Sequence, residues 1–246
     1  METLLQTFVE TAKSAGVNLG FLIDAYERGY WLEGIVTTIE LSVLSAIASL
    51  AAGLLLAAAA TSGRRWLVLP ARWFIELPRN TPTLVQLYCA FLVLNMLIST
   101  LVGGADNNPF SPFVWVLVVI SLHVGAFHAE SLRAGIEAVP KVTIEAATSL
   151  GFRRRDILLM IELPIAFRTA LPSLVNNMVN LIKLTAIGSA IAVGEITYAS
   201  IMIWTQRDNV VELMVLILLL FTALNTGVTT FGRWLEAKIR IPGYGL

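Results

Sequence analysis

The chain has 246 residues, of which 57% are hydrophobic and only 14% charged, and its 17 basic and 17 acidic side chains give a formal net charge of zero. Soluble domains carry about 25% charged residues, so this composition excludes an ordinary soluble domain and indicates an integral membrane protein. The lack of net positive charge gives no indication of nucleic-acid binding. The single cysteine, Cys89, excludes a disulfide bond within the chain.

Residues 1–30 are too polar to cross a membrane. Five apolar residues nevertheless share one face of a predicted helix, so we expect an amphipathic segment on the outer surface, ahead of a membrane domain over 31–246. The first residues carry no basic cluster before an apolar core, and no cleavable signal peptide is expected. The apolar face consists of Leu4, Leu5, Phe8, Val9 and Ala12.

The remainder contains five runs that are long and apolar enough to cross a bilayer, which takes about 20 residues. His123 is the polar interruption of the third run, and Lys183 is the one charged residue of the fourth. The predicted fold is therefore an all-α integral membrane protein with about five transmembrane helices. The runs are 41–60 (with a helix start near Leu32), 82–102, 110–127, 169–194 and 213–232.

Most of the 17 lysine and arginine residues lie in alternate connections, namely 61–81, 131–168 and the C-terminal tail. Because basic residues concentrate on the cytoplasmic side, we expect the N-terminus outside and the C-terminus in the cytoplasm. Segment 61–81 is predicted to be a short interfacial helix that ends in a turn at Arg79–Pro82. Segment 195–208 is predicted to be the last outer loop.

The long inner segment contains a predicted docking loop at about 140–164. Pro140 ends the preceding helix, Thr143 can cap a new one, and Glu145 lies in its first turn, where a carboxylate is favoured. Gly151 can adopt the left-handed conformation that ends a helix, and a second helix follows from about Arg154 to Ile161.

The predicted docking helix has a bare alanine face that suits a groove on a partner protein. The alternative is a solvated loop whose arginines merely follow the positive-inside rule. The spacing Glu-Ala-Ala-x-x-x-Gly, with Leu-Pro twelve residues later, favours docking. The predicted docking residues are Glu145, Ala146, Ala147, Leu150 and Gly151.

Ionisable and amide side chains inside the spans are candidates for a translocation path, since polar groups in a membrane are costly. Asn176, Asn180 and Lys183 share one face of the fourth span, and His123 and Glu130 share one face of the third. The alternative is ordinary helix–helix hydrogen bonding, with Lys183 reaching toward the interface, His123 packed in the interior, and Glu130 paired with Arg133 at the inner interface.

Four further motifs accompany the docking segment, namely Gly34–Val43, Ile75–Leu87, Ala129–Ile136 and Leu181–Thr185. With these motifs the chain resembles a known family, the permease subunits of ATP-binding-cassette (ABC) importers for polar amino acids, which include the histidine and glutamine permeases. The resemblance covers roughly Gly34 to Tyr244. Asn80 stands where the family has glycine, and Leu184 replaces an aspartate.

The resemblance implies a type I ABC importer permease-like fold in the bacterial cytoplasmic (inner) membrane, with a cytoplasmic docking (coupling) helix. It implies four partners: an ATP-binding-cassette ATPase dimer, a second permease subunit (identical or homologous), an extracytoplasmic solute-binding protein, and the lipid bilayer. The chain contains no Gly-x-x-x-x-Gly-Lys-Ser/Thr loop, so ATP and Mg are expected on the ATPase, and the chain itself is expected to bind no cofactor or metal and not to be an enzyme.

A self-sufficient secondary transporter or channel for small polar solutes is the alternative function. An inverted repeat with broken helices would favour this alternative. Neither feature is evident in the sequence, and five spans do not divide into two equal halves. A membrane enzyme is discounted, because no cluster has metal-ligand spacing and no nucleophile–base pair stands out.

Overall fold

The structure, a computed structural model, describes residues 2–104 and 107–239, with no strand among them. Short π-helical turns interrupt two of the spans, at Cys89–Leu94 and Leu158–Glu162, and 3₁₀-helices lie at Gly20–Leu22 and Thr185–Ile191. The α-helices are α1 (Glu2–Ser14), α2 (Ala25–Thr61), α3 (Arg65–Arg79), α4 (Thr83–Tyr88), α5 (Asn95–Leu101), α6 (Pro112–Glu137), α7 (Lys141–Ser149), α8 (Arg154–Ile157), α9 (Leu163–Leu184), α10 (Ile196–Arg207) and α11 (Val210–Lys238).

Five helical stretches of the described chain are long and apolar enough to cross a membrane, which confirms the predicted number of spans. Each overlaps a predicted run, but the fourth begins at Arg154, before the predicted start at 169. The predicted separate helix from Arg154 to Ile161 is wrong, because α8 continues through the π-helical turn into α9. The first begins at Ala25, earlier than predicted, because helix α2 continues through the polar residues before the apolar run. The stretches are Ala25–Thr61, Thr83–Leu101, Pro112–Glu137, Arg154–Ile191 and Val210–Lys238.

The described residues group into two compact units. The first consists of Met1–Leu44, Leu87–Leu117 and Ile182–Asn225, and the second of Ser45–Gln86, Val118–Leu181 and Thr226–Leu246. Each unit takes segments from several spans, so neither corresponds to one continuous stretch of the sequence.

In the first unit, the segment before α2 packs against α10 and α11. Phe21, Ile203 and Leu213 form a buried apolar cluster. Arg207 then adds polar contacts, with its Nη2 3.2 Å from Oδ2 of Asp24 and its Nε 2.5 Å from Oε2 of Glu27. These contacts fasten the N-terminal segment to the connection between α10 and α11.

Helix α1 forms as predicted, but its apolar face is divided. Val9 is buried against the protein, whereas Leu4 and Phe8 remain exposed. The helix is therefore held by one side, and its exposed apolar residues suit a lipid interface.

In the second unit, glycines let helices approach closely. A Cβ atom at Gly53 of α2 would lie 2.5 Å from Cβ of His128 in α6, and one at Gly125 would lie 2.9 Å from Cβ of Ala52. Because the absence of a side chain brings the two backbones together, α2 and α6 can bury a continuous seam of small residues.

Candidate functional site

The predicted docking loop is a helical element with a defined end. Helix α7 begins at Lys141, directly after Pro140, whose extended backbone forms the N-cap. The helix therefore starts before Thr143, and the predictions that Thr143 caps it and that Glu145 lies in its first turn are both wrong. At the other end, the N–H of Phe152 donates to the carbonyl of Ala147 and the N–H of Gly151 to that of Thr148. Gly151 has φ +81°, so the helix ends in a Schellman motif that requires a left-handed residue.

Most of the predicted docking residues face away from the protein. Glu145, Ala146, Leu150 and Gly151 are exposed, and the Leu150 side chain is 78% exposed. Ala147 instead is buried in the chain's own core. The helix is therefore anchored through Ala147 and presents the other four residues on the surface, although large apolar side chains such as Leu150 are costly to leave in water.

His123 holds the turn that precedes the second span. Its Nε2 lies 3.1 Å from Oγ1 of Thr83, and its Nδ1 lies 3.3 Å from Nε2 of Gln86. The same Gln86 amide donates to the carbonyl oxygens of Pro78 and Thr81, at 2.9 and 3.0 Å. His123 and Gln86 thus bind the Asn80–Pro82 turn to α6, which gives both a structural role in this part of the chain.

Glu130 is neutralised by arginines. Its carboxylate accepts two hydrogen bonds from Arg133, at 2.6 and 3.0 Å, and lies 3.8 Å from Arg79. Arg133 also pairs with Glu137 at 2.5 Å. The predicted ion pair between Glu130 and Arg133 is confirmed, and these contacts tie the end of α3 to α6.

A second polar cluster lies between α6 and α9, where His128, Ser131 and Asn177 are buried and Ser173 is exposed. Asn177 Nδ2 lies 3.4 Å from Nδ1 of His128 and donates to Oγ of Ser131 at 3.1 Å, and Ser131 is 2.7 Å from Oγ of Ser173. His128 is completely buried, and its Nε2 has no hydrogen-bond partner in the described part of the chain. His128 and Asn177 are polar side chains inside the predicted spans, but neither belongs to the two polar faces that the sequence predicted for the path.

The fourth span exposes a stripe of polar side chains. Asn176, Asn180 and Lys183 are all exposed, at the spacing that puts them on one face of α9, and Ser173 extends the stripe by a further turn. Asn176 and Asn180 belong to the second unit and Lys183 to the first. Polar side chains exposed on an apolar span are candidates for contact with a partner chain or with water.

Glu195 is a buried carboxylate outside the five spans. It is the N-cap of α10, where it accepts hydrogen bonds from the N–H groups of Thr197 and Tyr198, both at 2.9 Å. Burial raises the pKa of Glu195 to about 7, against the two backbone hydrogen bonds, which lower it. The cap explains why α10 forms within the segment that was predicted to be an outer loop.

The ionisation of Glu195 should make stability depend on pH. The unfolded carboxyl ionises at its ordinary pKa of 4.5 and the folded one at about 7, so the folded state binds the extra proton between these values and its stability falls as pH rises across the window. We expect Glu195→Gln to flatten this part of the profile of melting temperature against pH between pH 5 and 8. Glu10→Gln, at an exposed carboxylate, is the control, and parallel profiles for Glu195→Gln and the wild type would contradict the assignment.

Within residues 2–104 and 107–239, no cluster of histidine, cysteine, aspartate and glutamate side chains could hold a metal ion.

Comparisons with known proteins identify the family to which this chain is similar. The family model described as "Binding-protein-dependent transport system inner membrane component" matches residues 49–241. The chain is 38% identical over 191 residues to a glutamate transport system permease protein of Corynebacterium efficiens, covering 75% of this chain and 81% of that one. It is 34% identical over 180 residues to an L-cystine transport system permease protein of Bacillus subtilis, covering 70% and 71%.

The structural similarity agrees with the sequence similarity. The chain superposes with a TM-score of 0.75 and 25% identity on a chain of the crystal structure of "an amino acid ABC transporter with histidines", covering 89% of this chain and 98% of the other. The family match extends over far more than half of the 246 residues. The chain belongs to the family of binding-protein-dependent transport system inner membrane components, and it is a permease subunit of an ABC importer.

Proposed function

We propose that this permease serves an importer of polar amino acids, in which it forms half of the translocation pathway and is driven by ATP hydrolysis on a separate subunit. The observation that carries this proposal is the joint presence of an exposed docking helix and an exposed polar stripe in one membrane chain. The first suits a motor protein and the second suits a polar solute.

The substrate class rests on the relatives and on the chemistry of α9. The similar proteins are named for glutamate, L-cystine and arginine. Asn176, Asn180 and Lys183 offer amide groups and a cation, which can hold the carboxylate that every amino acid carries. Of the other pathway candidates, His123 and Glu130 already have protein partners, so we propose that they support the inner end of the path and do not contact the solute.

The half-pathway follows from where the stripe lies. One chain leaves Asn176, Asn180 and Lys183 exposed, and a second permease, identical or homologous, would cover them and leave an aqueous path between the two. A solute-binding protein would deliver the amino acid at the outer face. The proposed orientation, with the N-terminus outside and the C-terminus in the cytoplasm of a bacterial cell, puts α7 on the inner side, as the distribution of basic residues favours.

The proposed motor is an ATPase dimer that holds ATP and Mg, since this chain has no phosphate-binding loop. Each ATPase would receive one α7 helix in a surface groove, through Glu145, Ala146, Leu150 and Gly151, with Ala147 anchoring the helix to the permease. ATP-driven closure would then move the two α7 helices together and shift the spans between two states. The two states must differ in their free energy of contact with the ATPases, since otherwise nothing moves.

Assembly with the ATPase is the direct test of this proposal. The tagged permease, co-expressed with the ATPase subunit of its transport system, should purify as a complex whose ATP hydrolysis rises when binding protein loaded with an amino acid is added. Unloaded binding protein is the control. A permease that purifies without the ATPase, or a complex indifferent to every loaded binding protein, would contradict the proposal and favour a self-sufficient transporter or channel.

A further inference from the structure

A buried carboxylate lies at the junction between the docking loop and the fourth span. Glu162 ends the π-helical turn Leu158–Glu162, and its side chain is only 8% exposed. Nη1 of Arg154 pairs with Oε1 of Glu162, and the arginine side chain is 71% exposed. The arginine therefore reaches from the surface to a carboxylate inside the protein.

The pair spans an irregular part of the helix. Side chains that meet on a regular α-helix are three or four residues apart, whereas Arg154 and Glu162 are separated by eight residues. The π-helical turn lies between them and breaks the regular hydrogen-bonding pattern. Pro164 follows and has no N–H to donate. The ion pair thus bridges the π-helical turn, where the regular α-helical hydrogen-bonding pattern is interrupted.

The covalent connection from α7 to α9 runs through this junction. The chain leaves α7 by the Schellman turn at Gly151, enters the short helix α8, and continues through the π-helical turn. Ile157 is buried and fixes α8. Beyond that anchor, bending at the π-helical turn would absorb a displacement of α7 before it reached the span.

We propose that Arg154 and Glu162 are positioning residues that brace the π-helical turn, so that movement of α7 is transmitted into the fourth span. The inference rests on the proposed docking of an ATPase at α7. Removing the pair should leave ATPase binding in place and lower the amount of solute moved per ATP hydrolysed.

Three variants of the pair and a matched control test the proposal in the assembled complex in proteoliposomes. Arg154→Ala removes the cation and leaves a buried carboxylate, and Glu162→Gln removes the ion pair without leaving a buried charge. We expect both to reduce transport per ATP by about 2- to 30-fold, the range that coupling mutations produce, and Arg154→Lys to retain most of the coupling. Arg155→Ala removes a neighbouring exposed arginine and should couple normally.

A distance measurement tests the brace independently of transport. Spin labels at Ser149 and Thr169, both exposed, in a background with Cys89→Ser, report the geometry between α7 and α9. We expect Glu162→Gln to broaden the distance distribution and Arg155→Ala to leave it unchanged. Wild-type coupling with an unchanged distribution in both Arg154→Ala and Glu162→Gln overturns the proposal, as does an equal loss in Arg155→Ala. If Glu162→Gln broadens the distribution but the wild-type α7 binds no ATPase, the docking proposal is wrong, whereas the ion pair still stabilises the π-helical turn.

Discussion

Gly151→Asp is expected to leave membrane insertion intact and to reduce ATP-driven uptake at least about tenfold, which corresponds to about 1.4 kcal/mol. Gly151 has φ +81°, a conformation that costs other residues roughly 1–2 kcal/mol. The added carboxylate also projects from the docking surface, because no atom lies within 4 Å of the Cβ position. The measurements are uptake and ATP hydrolysis in proteoliposomes at equal permease content.

Gly63→Asp is the matched control for this variant. Gly63 also has a positive φ, +70°, and equally open surroundings, but it lies between α2 and α3, outside the docking loop. It should show the same backbone strain with normal coupling. If Gly151→Asp transported normally, or if Gly63→Asp lost coupling to the same extent, the docking role of this surface would be wrong.

Gly135→Ala is expected to destabilise the second unit by about 1–3 kcal/mol, the usual cost of inserting a methyl group into a tightly packed site. A Cβ atom there would collide with the backbone carbonyl of Ala166 and lie 3.0 Å from Cβ of Ala170. The clash separates α6 from α9 and thereby disturbs the hydrogen bonds of Asn177. We expect a lower melting temperature in detergent and a smaller yield of monodisperse protein.

Gly227→Ala in the last span controls for the general effect of replacing a helical glycine. No atom lies within 4 Å of its Cβ position, so the substitution should be neutral or stabilising by up to about 1 kcal/mol, because alanine has the higher helix propensity. Equal behaviour of the two alanine variants would show that the close approach of α6 and α9 at Gly135 does not contribute to stability.

The spans and the docking helix could be predicted because their signals are local. A charge-free run such as 213–232 is long and apolar enough to cross a bilayer, and it lies within a candidate span of the structure. The predicted left-handed conformation of Gly151 is confirmed by its φ of +81°. Helix α10 was missed because its 12 residues are too few for a span. Its start also depends on the Glu195 side chain, which the sequence does not show to be buried.

The polar residues of the spans could be predicted only in part. The shared face of Asn176, Asn180 and Lys183 follows from helical spacing alone. Which of two adjacent residues faces the interior depends on how each helix is rotated about its axis relative to its neighbours. This rotation depends on close contacts between helices, such as that between Gly53 and His128. His128 and Asn177 therefore emerged as the buried pair only from the structure.

Transport by the purified chain, alone and in its assembly, tests the central claim most directly. The claim is that this permease provides a path that a separate ATP-hydrolysing subunit opens and closes. We expect radiolabelled amino acid to accumulate only in proteoliposomes that contain permease, ATPase and loaded binding protein, and only with ATP. Accumulation or rapid equilibration of the amino acid by the permease alone, without nucleotide, would contradict the claim.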